Sequence, residues 1–165
     1  MRKSLASALI GATAVAVMGG AGIAIAGTHA PAARTESFQM MTTSGTASSL
    51  SVIATGAFTA PGVDHENESG NTATFVFSNG TVRLRHSAGT GQQSFNPKTC
   101  LLTLNLHGTY RLTGGTGEYA GITGGGNYKL NILAIGARSG GKCSQTKPPV
   151  AFHQVINASG PVKLK

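Results

Sequence analysis

Carboxylates are scarce in this chain. Its 165 residues include five Asp and Glu, and Asp64 is the only aspartate. A Ser-His-Asp triad would have to recruit that one residue, and no G-x-S-x-G elbow exists to present a nucleophilic serine. Asp64, His65, Glu66 and Glu68 stand close together but match no EF-hand spacing, so they read as a solvated acidic loop rather than as ligands for a hard cation. The histidines His65, His86, His107 and His153 are scattered one per strand or loop, without the spacing of a zinc site. No metal or cofactor is therefore expected, and no catalytic set can be named. Tryptophan is also absent. The basic residues are dispersed and form no arginine–aromatic cluster of the kind that stacks bases, which argues against nucleic acid as a partner. Sustained helical periodicity is lacking as well.

Two glycine motifs imitate nucleotide-binding loops and fail on chemistry. Gly136 to Lys142 fits G-x-x-x-x-G-K, but Cys143 stands where a phosphate loop needs Ser or Thr for magnesium. Pro148 and Pro149 follow too soon for a helix to start there. Gly115-Thr116-Gly117 opens like a dinucleotide fingerprint, yet the third glycine, Gly121, falls one place late, and the run enters a strand.

What is present begins with an export signal. Arg2 and Lys3 precede an apolar, Ala- and Gly-rich run without charge until Arg34, and Ala24-Ile25-Ala26 offers small residues for cleavage. Residues 1–26 are expected to be a signal peptide, 27–47 a polar leader, and 48–165 the folded domain of a secreted protein. From Gly27 onward eleven Lys and Arg face five Asp and Glu, leaving the mature chain near +6. Such a surface suits anionic glycans, lipid headgroups or a charged cell wall. The only two cysteines, Cys100 and Cys143, both fall in the exported part, where an even count predicts a structural disulfide.

The remaining signal is strand signal. Leu50 to Ala60 reads as a strand ended by Pro61-Gly62, with a first edge strand expected around Phe38 to Met41. Phe75-Val76-Phe77-Ser78 and Thr81-Val82-Arg83-Leu84-Arg85 flank Asn79-Gly80, which predicts a type I′ hairpin. Phe77 then opposes Val82, Phe75 opposes Leu84, and Arg83 and Arg85 share the polar face. Leu102, Leu104 and Leu106 alternate with Thr103, Asn105 and His107. The strand from Tyr128 to Ile135 is nearly apolar on both sides, fitting a central or inter-subunit position. Between them, Gly108 to Leu130 is too dense in glycine for a helix, since each costs roughly 1 kcal/mol there. The pattern is all-β, an antiparallel barrel or sandwich.

The run Gly114-Gly115-Thr116-Gly117-Glu118-Tyr119-Ala120-Gly121, followed by Gly124 and a new strand, resembles the GGTG-x-[FY]-x-G hairpin of allene oxide cyclase-like and dirigent-like barrels, and of small exported bacterial proteins that carry it. The resemblance implies an eight-stranded antiparallel barrel, often trimeric, whose interior takes an apolar or phenolic ligand. On that basis Gly115, Gly117 and Gly121, like Asn79 and Gly80, are structural turn residues. Two functional classes follow. One is a noncatalytic exported barrel that binds a small apolar or aromatic molecule or a surface component, and it is preferred. The other is an isomerase or cyclase that acts by positioning its substrate, with Asn105, His107 or Asn131 as polar lumen residues.

Cys100 and Cys143 should be unreactive to thiol reagents in the denatured, nonreduced exported protein. Two labelled thiols per chain would refute the bridge.

Overall fold

The computed structural model describes residues 32–67, 70–144 and 146–165. The expected signal peptide, and residues 27–31 of the expected leader, lie outside the described residues. The strands run in the order β1 (Arg34–Thr42), β2 (Leu50–Thr55), β3 (Ala60–Glu66), β4 (Thr72–Phe77), β5 (Gly80–His86), β6 (Thr90–Asn96), β7 (Leu101–Gly115), β8 (Thr123–Ile135), β9 (Arg138–Ser139), β10 (Lys142–Cys143) and β11 (Ala151–Lys163). All pairings are antiparallel, and the sheet closes on itself where β5 meets the C-terminal half of β7. The result is a closed eight-stranded barrel. The N-terminal half of β7 instead pairs with β6.

Alternation builds the core. Phe38 and Met40 of β1, Val52 and Ala54 of β2, Phe75 and Phe77 of β4, Val82 and Leu84 of β5, and Leu112 of β7 all turn inward and are buried. Each large side chain so buried contributes roughly 1.5–3 kcal/mol. One end of the barrel is floored by a single 3-10 turn, Gly117–Tyr119, whose Tyr119 ring packs 4.6 Å from Phe58 and 5.3 Å from Phe77. At the other end β7, β8 and β11 run on past the rim and, with β6, form a wall that stands above the opening.

Residues 34–42, expected within the leader, are an integral barrel strand, and β1 is no edge. It pairs with β2 on one side and β11 on the other. Its polar residues Ser37 and Gln39 misled the composition, because they face out while Phe38 and Met40 face in. The Asn79-Gly80 turn also differs from expectation. Phe75 opposes Val82 and Phe77 opposes Gly80, so the loop is Ser78-Asn79, and Asn79 does not take the positive φ that a type I′ turn requires. The register has moved by two residues, which preserves both faces, and the expected aromatic and aliphatic residues still point inward.

The cause lies across the floor, where this hairpin docks on the glycine turn that follows β7. Glu118 N–H donates to Asn79 O at 3.0 Å and Thr116 N–H to Thr81 O at 2.9 Å. The Asn79 amide donates to Glu118 Oε2 at 3.0 Å. A Cβ on Gly80 would lie 2.1 Å from Thr116 O, and one on Gly117, which has φ +59°, would lie 2.1 Å from Asn79 O. Only bare backbone fits on both sides of this contact.

The disulfide between Cys100 and Cys143 is present, spanning 43 residues with Cα atoms 5.5 Å apart. Closing such a loop stabilises by about 4 kcal/mol in the chain-entropy model. It ties the start of β7 to β10, so the G-x-x-x-x-G-K segment forms a tiny β9–β10 hairpin.

Replacing Gly117 with Val should destabilise the domain by at least about 2 kcal/mol, from the positive φ and the backbone clash together. Glu118→Gln keeps an acceptor for Asn79 and should shift stability by less than about 0.5 kcal/mol. Chemical denaturation of both variants checks the pair.

Candidate functional site: a cup at the barrel mouth

Above the packed floor the barrel opens into a cavity of about 310 Å³. Its apolar lining comes from Met40, Leu50, Phe75 and Ile156 on the barrel strands and from Leu130 and Phe152 on the protruding wall. The segment after β1 closes one side. There Gly45 lies so near Phe152 that a Cβ would approach its ring to 3.1 Å.

Polar groups converge on this cup from several strands. Asp64 and Glu66 share the inward face of β3 because they are two residues apart, while Val63 and His65 face out. Asp64 is 2% exposed. Its Oδ1 and the Tyr110 hydroxyl are buried without a hydrogen-bond partner. Glu66 Oε1 lies 2.6 Å from His86 Nε2, and His86 Nδ1 lies 3.1 Å from Ser87 O. Both ring nitrogens thus face oxygen atoms, so the ring is held from two sides. Tyr128 Oη donates to Ser87 O at 2.9 Å, which anchors its ring beside His86.

Burial pushes the Asp64 carboxyl up to about 7, Glu66 adds to the rise and His86 opposes it. Burial likewise pushes the Tyr110 phenol up to about 12, with Glu36 adding, so it remains a hydroxyl donor. Glu36 itself is fully buried near the floor, where the Phe58 N–H donates to its Oε2 at 3.0 Å. Burial raises its pKa against the pull of backbone amides.

These placements correct the solvated-loop expectation for Asp64. The Pro61-Gly62 pair, read as the end of a strand, instead lies inside β3, and the polar run after it continues the inward-outward alternation. Glu68 lies outside the described residues. Asn105, His107 and Asn131, expected in the lumen, are exposed on the outer face, with Asn105 opposite Asn131 and His107 opposite Lys129. Strand parity decides this, since Leu104, Leu106 and Leu130 take the lumen side. Arg83 and Arg85 are on the solvent face, where Arg85 sits directly opposite Arg111. Gly115 and Gly121 belong to the floor turn, far along β7 and β8 from the mouth. Among the described residues no group of three His, Cys, Asp or Glu is placed to hold a metal ion, and no helix is long and apolar enough to cross a membrane. Comparison with family models, curated proteins and solved structures finds no match to this chain.

Because the native fold holds the Asp64 proton more tightly than the unfolded chain, this group favours the fold most below its ordinary value of 3.8, and the advantage disappears as pH rises to about 7. Glu36 acts in the same direction. The melting midpoint should therefore climb as pH falls from neutral toward the ordinary carboxylate range. Asp64→Asn should raise the midpoint near neutral pH and flatten that slope. A midpoint that rises with pH over this range, or an unchanged slope in the variant, would contradict the buried carboxyl.

Proposed function

We propose that the protein is an exported, noncatalytic barrel that holds a small apolar or phenolic molecule in the mouth cup. One observation carries this reading: an open, mainly apolar cavity contains a buried carboxyl oxygen and a buried phenol that have no partner within the protein. Buried polar groups are seldom left unpaired, and a hydrogen-bonding ligand supplies what is missing. Below the cup Phe38, Phe77, Val82 and Tyr119 are packed into the buried core. The glycine-turn resemblance to allene oxide cyclase-like and dirigent-like barrels agrees with ligand holding. Export agrees with the charged-then-apolar N-terminus and with a disulfide, which favours an oxidising compartment.

The resemblance also suggests self-association, for which the exposed Leu133, Ile135 and Phe95 offer apolar surface. An anionic surface component suits the outer face around Arg83, Arg85 and Arg111. The one ion pair among the described residues is His86–Glu66, so these guanidinium groups lack carboxylate partners.

A cyclase reading retains one supporting observation. A carboxyl lifted to about 7 inside a cavity suits general acid–base work, and Asp64 takes over the role expected of Asn105, His107 and Asn131.

Naphthol and naphthalene should each bind saturably, read by quenching of probe fluorescence. Leu130→Trp, which fills the cup, should weaken both by about tenfold or more at unchanged melting midpoint. Absence of saturable binding, or affinity indifferent to Leu130→Trp, would refute the cup as a ligand site.

A further inference from the structure

We infer that the molecule held in the cup is an apolar amine, its protonated nitrogen seated on the Asp64 carboxylate and its body against Leu130, Phe152 and Ile156. This rests on the reading of the mouth as a ligand cup and narrows it, because an unpaired acceptor alone would accept any donor.

Charge layout does the narrowing. The chain carries 13 Lys and Arg against five Asp and Glu. Yet two of those few carboxylates, Asp64 and Glu66, line the cup, and among the described residues no lysine or arginine does. Chance placement on a strongly basic protein would favour the opposite. The one basic side chain lining the mouth among the described residues, His86, is already committed to Glu66 and to Ser87 O. An anionic ligand would find two carboxylates and no free cation to receive it. A neutral alcohol could donate to Asp64 but could not compensate the charge of the ionised carboxylate in an apolar setting. An ammonium group does both, and its hydrogen bond to a carboxylate is the stronger, charge-assisted kind. The rings of Phe75, Tyr110, Tyr128 and Phe152, which also line the cavity, supply π faces suited to a desolvated cation.

Proton linkage follows from the same groups. Glu66 from β3, His86 from β5, Tyr110 from β7 and Tyr128 from β8 are the titratable residues lining the cup with Asp64. The other barrel strands present Met40, Leu50, Phe75 and Gln154, none of which titrates. Burial favours the neutral acid in the empty cup. A bound ammonium must hold the carboxyl ionised, so affinity should rise with pH through neutrality while the amine stays protonated.

The test is calorimetric titration with naphthylmethylamine, naphthylmethanol and naphthoate, which share one apolar body and differ in the charge of the head. At about pH 8 the amine should bind about tenfold or more tighter than the alcohol, with naphthoate weakest. That preference should shrink to within about threefold in Asp64→Asn, and in the native protein at about pH 5. Glu66→Gln should weaken the amine less than Asp64→Asn does, since Glu66 is already shared with His86. Alcohol binding as tight as the amine, or a preference that survives Asp64→Asn, would overturn the charge assignment and leave the cup standing. Failure of all three probes to bind would overturn the cup itself, and the amine with it.

Discussion

Closure of the barrel depends on one antiparallel pairing, that of β5 with the C-terminal half of β7. Without it the sheet would end in two long open edges, and the inward faces of Phe38, Phe75 and Val82 would have no opposite wall. The same pairing explains the cup. Because β5 occupies only part of β7, the rest of that strand overshoots the rim and carries β8 and β11 with it, paired to β6 at its side. The apolar face of the overshoot continues the lumen face, so Leu130 and Phe152 rise behind the opening as a wall rather than closing over it. A barrel whose strands all matched in length would have a rim and no cup.

The two ends are built from different physics. At the floor, docked glycine turns exchange backbone hydrogen bonds at a separation that excludes any Cβ, and aromatic rings fill the space beneath. That end is closely packed and its polar groups are paired, apart from Glu36, whose second oxygen has no partner. At the mouth, a carboxyl and a phenol are left unpaired beside an open volume. An unsatisfied buried group costs stability of about 1–3 kcal/mol, and at the mouth two such groups border the open cavity. The basic exterior and the acidic mouth are separated by the sheet itself: Arg83 and Arg85 stand on the outer face of β5, while Leu84 and His86, one residue over, face the lumen side.

Most of the strands could be read in the amino-acid pattern, and so could the glycine turn, because period-two alternation and glycine density are local properties. Leu102, Leu104 and Leu106 lie on one face as their alternation requires, and the two cysteines pair as their even count implies. The Asn79-Gly80 hairpin shows where local rules stop. Its two strands and their faces were legible, but its register was decided by contacts with Thr116 and Glu118, more than thirty residues away in sequence.

The site was legible least. Alternation in one strand tells which residues share a face and says nothing of which face is inside. Asn105, His107 and Asn131 were sound as a set and lay on the wrong side, because the leucines of β7 and β8 claimed the lumen. Asp64 was hidden for the converse reason: a polar run after a proline and a glycine looks solvated, and only the closed sheet, with β2 and β4 on either side of β3, turns that carboxyl inward. Sequence by itself determined the all-β class, the strand faces, the turn glycines and the disulfide, all of which follow from residue chemistry and near-neighbour spacing. Tertiary structure alone decided the closure, the register of the docked hairpins and the burial of Asp64, since each depends on which distant strand arrives alongside.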